Sequence, residues 1–509
     1  MILRSFFAAV QHGPQIALYL NRIFYFYLVL GRKGLNMSLT TSLLHARSGL
    51  VGAQAGLDVV SRNIANATTE GYTKKIHNQA NLIIGGTGSG LKVEEVTRKV
   101  TDTLQESLRE QNGVIEKLEI LDDFLGRLEL EFGRPDDQSS ISAKLTDLKK
   151  AFQAFSTAPE NATNAIGLVA TADTLARSFN DLNTLIQDLR VEADGRISDR
   201  VIEVNTSLTS LQELNKQIGQ KVAALQSSAD LRDQRDQLLL TINKNLSVGS
   251  FESTNSKITV SSADCQLMLD DTLISMSFVA TSSLSAGANG QPVQLGGADV
   301  TSSISARDGS IAGLLSLRDT VLPEFQVVLD DLAFKVASSL GTVNVSGTNE
   351  DLNLFTDSGG NVPGAFTNGF SGTMRVRDAL LTTPTDIRDP QAGAGYTPLG
   401  EADNALPLAV LGLFETQSAL SQAAGVNNTM EGFSAALIGK IANKKADYDS
   451  QLTFQKVFRD GLRDRVENES GVNTDEELTE LIRLEAAYGA SARVLNAVQR
   501  AFDDLIGII

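Results

Sequence analysis

Three features of this 509-residue chain have residue types and spacings that could do chemistry. Gly85-Gly86-Thr87-Gly88-Ser89-Gly90 is a glycine run of the kind that cradles phosphate. Asp233 and Asp236, with Arg235 between them, could make a paired-carboxylate acid–base site. Cys265 is the only cysteine and could serve as nucleophile or ligand, and His12, His45 and His77 are the only histidines. Each lacks its complement. A phosphate loop needs the glycines to open a helix carrying Lys-Ser/Thr, whereas Leu91, Val93 and Glu95 follow here in strand alternation, so the run reads as a hairpin turn. Leu231–Asn243 is dense in charge and reads as a solvated helical face laced with ion pairs. Cys265 has no second thiol or histidine cluster to support it and is expected to be a small buried or half-buried thiol. HExxH, GxSxG and CxxC spacings are missing. No catalytic residue, cofactor site, metal ligand or small-molecule substrate is assigned, and no enzyme is expected.

Composition narrows the class further. A single cysteine gives no disulfide framework within one chain. A net charge of −17 without a basic cluster argues against a nucleic-acid partner. Tryptophan is absent and aromatics make up only 6%, which suits helical rods better than ligand pockets.

The informative features are periodic. Leu39, Leu43, Ala46, Leu50, Ala53, Leu57, Val60 and Ile64 step by four and three without a miss, a narrow seam that wants another helix along its length. Leu481, Leu484, Tyr488, Ser491, Leu495, Val498, Phe502, Leu505 and Ile509 make a second seam at the far end. Gly49, Gly52 and Gly56 weaken the first helix in isolation, so it is expected to order only when packed.

Between the seams the expected organisation is mainly α with β inserts. Residues 37–80 form an N-terminal axial coiled-coil segment. Residues 81–245, with 305–340 and 405–468, form a core of long bundled helices, the last expected as one helix over Leu406–Asn468. Residues 246–304 and 341–404, rich in Ser, Thr and Gly with a period of two, form small β-rich outer domains. Residues 469–509 form the C-terminal coiled-coil segment, with Thr474 and Glu477 read as a capping box. Asn215 takes one seam position in the long helix before Gln226 and is read as a register-fixing residue. Residues 1–36, aromatic and without a seam, read as a non-native leader ahead of a true start at Met37; Arg22 interrupts the apolar stretch that an anchor would need.

Asn63-Ile64-Ala65-Asn66 followed by Gly71-Tyr72 resembles the N-terminal signature of the bacterial flagellar rod, hook and hook-associated axial proteins, and Gly88–Arg98 resembles the strand segment that follows it. Leu231–Leu239 and Gly309–Asp331 are similar to the helical core of the hook-associated branch, and Ser470–Glu477 with Ala487-Tyr488 and Phe502 to its C-terminus. Thr69-Glu70 departs from the usual Thr-Pro, and Glu485 from a common Gln. The resemblance implies a structural subunit at the hook–filament junction. It would be exported unfolded through the type III apparatus with a chaperone, would be extracellular, and would contact the hook protein, a second hook-associated junction protein and copies of itself. Assembly is expected to run through Leu39, Leu43, Leu50, Leu57, Val60, Asn63, Ile64, Asn66, Gly71 and Tyr72, together with Leu481, Leu484, Tyr488, Leu495, Val498, Phe502, Leu505 and Ile509. Rival readings are another hook- or rod-type axial protein, a hydrolase hidden in the inserts, and a coiled coil anchored by Ile16–Leu30.

Overall fold

The computed structural model describes residues 39–84, 87–134, 137–262, 264–388, 400–420 and 427–508. The leader, Gly85, Gly86 and Ile509 lie outside them. The described chain forms two compact units, 39–99 with 471–508, and 100–470.

The first unit is built from both chain ends. Helix α1 (Leu39–Ala65) leads through a turn to β1 (Lys75–Ile76), then to the hairpin of β2 (Gln79–Ile84) and β3 (Thr87–Val93), and to β4 (Thr97–Arg98), which pairs antiparallel with β1. Ile84 lies opposite Thr87, and Thr87 to Gly90 belong to β3, so the described part of the glycine run stands in a hairpin strand and opens no helix. A boundary at residue 80 would cut this hairpin, whose pairing begins at Gln79–Val93; the unit instead extends to 99.

The second unit is a bundle of long helices: α2 (Asp102–Phe132), α3 (Ile141–Thr157), α4 (Ala162–Ala223) and α5 (Ala229–Asn245). Strands β5 (Val248–Glu252), β6 (Ile258–Ser262), β7 (Leu267–Leu269), β8 (Met276–Ser277), β9 (Gln294–Leu295) and β10 (Ala298–Asp299) then make two three-stranded antiparallel sheets. Helix α6 (Ser310–Ser316), one π turn (Leu317–Val321) and α7 (Leu322–Ser339) lead to two strand pairs, β11 (Thr342–Val345) with β12 (Thr348–Asp351) and β13 (Phe355–Thr356) with β14 (Arg375–Val376). The expected single helix from Leu406 is two, α8 (Ala405–Glu415) and α9 (Met430–Ser470). The helices and the β segments share one apolar core, in which Phe124, Phe179, Leu208, Val260, Val293, Phe325 and Val376 are all buried.

Polar side chains fasten the strands to α4. Asn215, expected to set helix register, donates to the Ile258 carbonyl (2.8 Å) and accepts from the Ile258 N–H (3.0 Å). Asn205 treats Met276 in the same way, at 2.8 and 2.9 Å. Arg235, buried on α5, reaches Glu252 of β5 at 2.6 Å, and Asp233 beside it is also buried. The charged face of Leu231–Asn243 therefore does carry ion pairs, but Asp233 is buried and Arg235 turns inward onto the β5–β6 hairpin instead of out to water. Cys265, expected inside, is exposed at the β6–β7 turn with φ +59°.

The π turn sets a buried charge cluster. Arg318 is bonded to Asp194 of α4 (2.5 Å), to Asp319 (2.7 Å) and to the Gln291 carbonyl (3.0 Å). Arg190, also buried, donates to the Arg318 carbonyl (2.9 Å), the Ser285 carbonyl (3.1 Å) and the Ala288 carbonyl. Two arginines thus hold the carbonyls of the segment before β9. Replacing Asp194 with Ala removes one of the two carboxylates on buried Arg318 and leaves it only Asp319, and we expect the unfolding free energy of residues 100–470 to fall by about 1.5–3 kcal/mol. Asp194→Asn, which still accepts, should lose less; urea denaturation followed by circular dichroism separates the two.

Candidate assembly site: the paired chain ends

Helix α10 (Thr474–Ile508) lies antiparallel to α1. Three pairings fix the register. Gly49 faces Ser491, Gly56 faces Leu484, and Asn63 is bonded to Glu477. Each step is seven residues in both helices, the repeat of a left-handed coil. A Cβ at Gly49 would stand 2.9 Å from Ser491 Oγ, and one at Gly56 would stand 2.9 Å from Leu484 Cδ2. The glycines that weaken the isolated helix are therefore the points where its partner comes closest. Gly52, between them, receives the hairpin: Gln79 Nε2 donates to its carbonyl at 3.4 Å.

The polar end of the pair centres on Asn63, which is 1% exposed. Its amide donates to Glu477 Oε2 (2.9 Å) and to the Lys75 carbonyl (2.9 Å). Its oxygen accepts from the Lys75 N–H (3.0 Å) and the Tyr72 hydroxyl (2.9 Å). Glu477, also buried, takes Lys74 Nζ at 3.0 Å, and Lys74 reaches Glu476 at 3.0 Å as well. Burial pulls the Lys74 ammonium down, but bonding to Glu477 and Glu476 outweighs it and holds the group above its ordinary range. Lys75 Nζ lies 4.4 Å from the centre of the Tyr72 ring. Gly71, with φ +78°, makes the turn that brings Tyr72 back to Asn63. Asn66 closes α1 by donating to the Arg62 carbonyl at 2.9 Å.

The capping box does not form. Asn473 caps α10 instead, its side chain accepting from the Asp475 N–H at 3.0 Å and the Glu476 N–H at 3.4 Å. Glu477 is thereby free to serve Asn63 and Lys74.

The expected seams are only partly covered. Val60, Leu484 and Val498 are buried, while Leu39, Leu43, Leu50, Leu57, Ile64, Leu481, Leu495 and Phe502 are half-buried and Tyr488 is exposed. Ile509 and the side chain of Leu505 lie outside the described residues. The seam reading missed the outward apolar set, Leu44 and Val51 on α1 with Leu478, Ile482, Val494 and Ile506 on α10, exposed at 49–69%. It also missed Glu477 as a partner of Asn63; the seven-residue step through Gly49, Gly56 and Asn63 was the available signal. Among the described residues, no group of three or more His, Cys, Asp or Glu is placed to hold a metal, and no helix is long and apolar enough to cross a membrane.

Comparison with known proteins meets this geometry at three places. The family described as "Flagellar hook-associated protein FlgK helical domain" matches residues 125–361, that of "Flagella basal body rod protein" matches 43–73, and that of "Flagellar basal body rod FlgEFG protein C-terminal" matches 466–508. The curated protein "Flagellar hook-associated protein 1" of Bacillus subtilis is 23% identical over 91% of this chain and 96% of its own. That of Salmonella typhimurium is 24% identical over 91% and 99%. The chain thus resembles flagellar hook-associated protein 1 over nine-tenths of its length, with the helical-domain family on residues 125–361. In fold, the flagellar hook junction protein FlgK from Burkholderia pseudomallei resembles it with a TM-score of 0.56 at 13% identity, covering 71% of this chain and 99% of that one. The two rod-type matches fall on α1 with its following turn, and on α10, the elements that pair in the first unit.

Since Asn63 carries four hydrogen bonds at this node, Asn63→Ala should cost the terminal unit about 2–4 kcal/mol, chiefly by leaving Glu477 and the Lys75 backbone unpaired. Limited proteolysis should then cut α1 and α10 faster while residues 100–470 resist as before. Unchanged protection of α10 would show that the node holds nothing.

Proposed function

We propose that this chain is a structural subunit of the bacterial flagellum at the junction between hook and filament, assembling through its paired terminal helices. The observation that carries the reading is the antiparallel pair of chain ends with apolar residues on its outer sides. Leu44 and Val51 share α1 with exposed Arg47 and Arg62. Leu478 and Ile482 share α10 with exposed Asp475 and Glu485. Residues 39–99 hold seven Lys and Arg against four Asp and Glu, whereas residues 471–508 hold three against seven. The α1 face of one copy is therefore complementary in charge to the α10 face of the next. Two different faces meeting make a head-to-tail contact, which builds rings or helical arrays in place of closed dimers.

The remaining partners follow from the same reading. The hook protein and a second hook-associated junction protein meet the two ends of the array. The chain reaches this extracellular site by the flagellar type III export route, with a chaperone holding it unfolded. Its role is structural, with no substrate. Residues 100–470 hold 30 Lys and Arg against 50 Asp and Glu, so these bodies repel one another and the attraction must come from the terminal faces.

Val51→Glu and Ile482→Glu alter outward residues, so each should leave the chain monomeric and normally folded while blocking self-association and motility. Leu50→Lys and Leu495→Lys, at half-buried seam positions, should stop assembly by loosening the pair itself. Sedimentation with increasing salt, alongside complementation of a motility-deficient strain, checks both. Full motility with Ile482→Glu and Leu495→Lys would refute the reading.

A further inference from the structure

His77 lies where three elements of the terminal unit meet, β2, α1 and α10. A Cβ on Gly56 would stand 3.3 Å from its ring carbon Cδ2 and 2.9 Å from Leu484 Cδ2. Its Nε2 is 2.7 Å from the Gln79 side-chain nitrogen, and that same amide donates to the Gly52 carbonyl. With the Gln79 amide nitrogen donating one proton to Gly52, its other proton is offered to Nε2, which then accepts, and the ring is neutral with its proton on Nδ1. Nδ1 is buried without a hydrogen-bond partner. The site therefore holds the uncharged ring, and burial and the Gln79 donor oppose the charged one, against the Gly52 carbonyl and Glu480. A proton on Nε2 would face the Gln79 donor, and Gln79 could avoid it only by turning its amide over and releasing Gly52.

We propose that the contact of His77 with Gln79 and Gly52 is a proton-sensitive latch on the paired chain ends, so that protonation of the ring loosens α10 and the hairpin from α1. Among the charged groups, Glu480 of α10 acts on the ring and favours the protonated form. Arg483, bonded to Glu480 at 2.7 Å, and Lys74 draw on the same carboxylate. α1 meets the ring with Gly52 and Gly56, which carry no charge, and β3 adds Leu91 beside Gly52. Burial lowers the His77 pKa below its ordinary 6.5, against the smaller raising effects of the Gly52 carbonyl and Glu480. The sign follows from that direction. Above pH 6.5 neither folded nor unfolded chain binds the proton; below it the unfolded chain binds first, so stability is lost as pH falls toward the folded value.

The inference supplies a regulation of the terminal pair on which the assembly reading rests, but its test uses the monomeric full chain and involves no partner. The fraction of chains with α1 and α10 open would be read from cleavage rates in the terminal unit between about pH 7.5 and pH 5. Each rate is normalised to cleavage of an unstructured reference peptide by the same protease. In the unaltered chain the open fraction should rise by up to about tenfold per pH unit below 6.5. His77→Gln should flatten the rise, His45→Gln should keep it, and Glu480→Gln should make it steeper by removing the one favourable charge. A flat profile in the unaltered chain, or an undiminished rise in His77→Gln, would overturn the latch and leave the assembly reading intact.

Discussion

A helix has no free backbone groups along its length with which to hold a strand, yet this protein repeatedly needs helices to hold strands. Asparagine supplies the missing connection. Its side-chain amide carries a donor and an acceptor in the geometry of a peptide group, so it can bond both the C=O and the N–H of one strand residue as a neighbouring strand would. Asn63 does so with Lys75, Asn205 with Met276 and Asn215 with Ile258. In each case the partner is the first residue of its strand. The same device operates in both units, once on α1 and twice on α4. Each strand gains a fixed starting point against its helix, and the apolar packing that follows has its register set.

In the terminal unit this constraint reaches furthest. The second hydrogen of the Asn63 amide goes to Glu477, 414 residues away in the chain. The first strand and the last helix are thereby fixed by one side chain. Glu477 is available only because Asn473 has taken over the capping of α10, and Lys74 neutralises it. The glycines at 49 and 56 extend the same alignment along the helices, since only a bare backbone lets Ser491 and Leu484 come so close.

Much of this was legible in the sequence. The seams announce two helices that need partners, and alternation after the glycine run announces the hairpin, because both depend on local periodicity. The signature at Asn63, Asn66, Gly71 and Tyr72 was visible as a pattern, but its meaning was not: the bonds that explain it join residues far apart. The same limit applies to Leu231–Asn243. A run of charges on a helix looks solvated, yet Asp233 is buried and a hairpin lies on Arg235. Cys265 was misplaced for a related reason, since residue type alone does not show that it stands at a strand turn with positive φ. Leu478 and Ile482 stand off the seam through Leu481 and Leu484, so its period does not mark them as apolar and exposed.

The terminal unit is discontinuous, with the whole body of the protein inserted between its halves. Completeness of synthesis is thus built into its structure. A reading frame interrupted near its end can still encode every residue from 100 to 470, yet the N-terminal helix of such a product has lost its antiparallel partner. Truncated products therefore lack the terminal unit altogether, and a faulty message would yield the inserted body without the paired helices instead of a complete molecule.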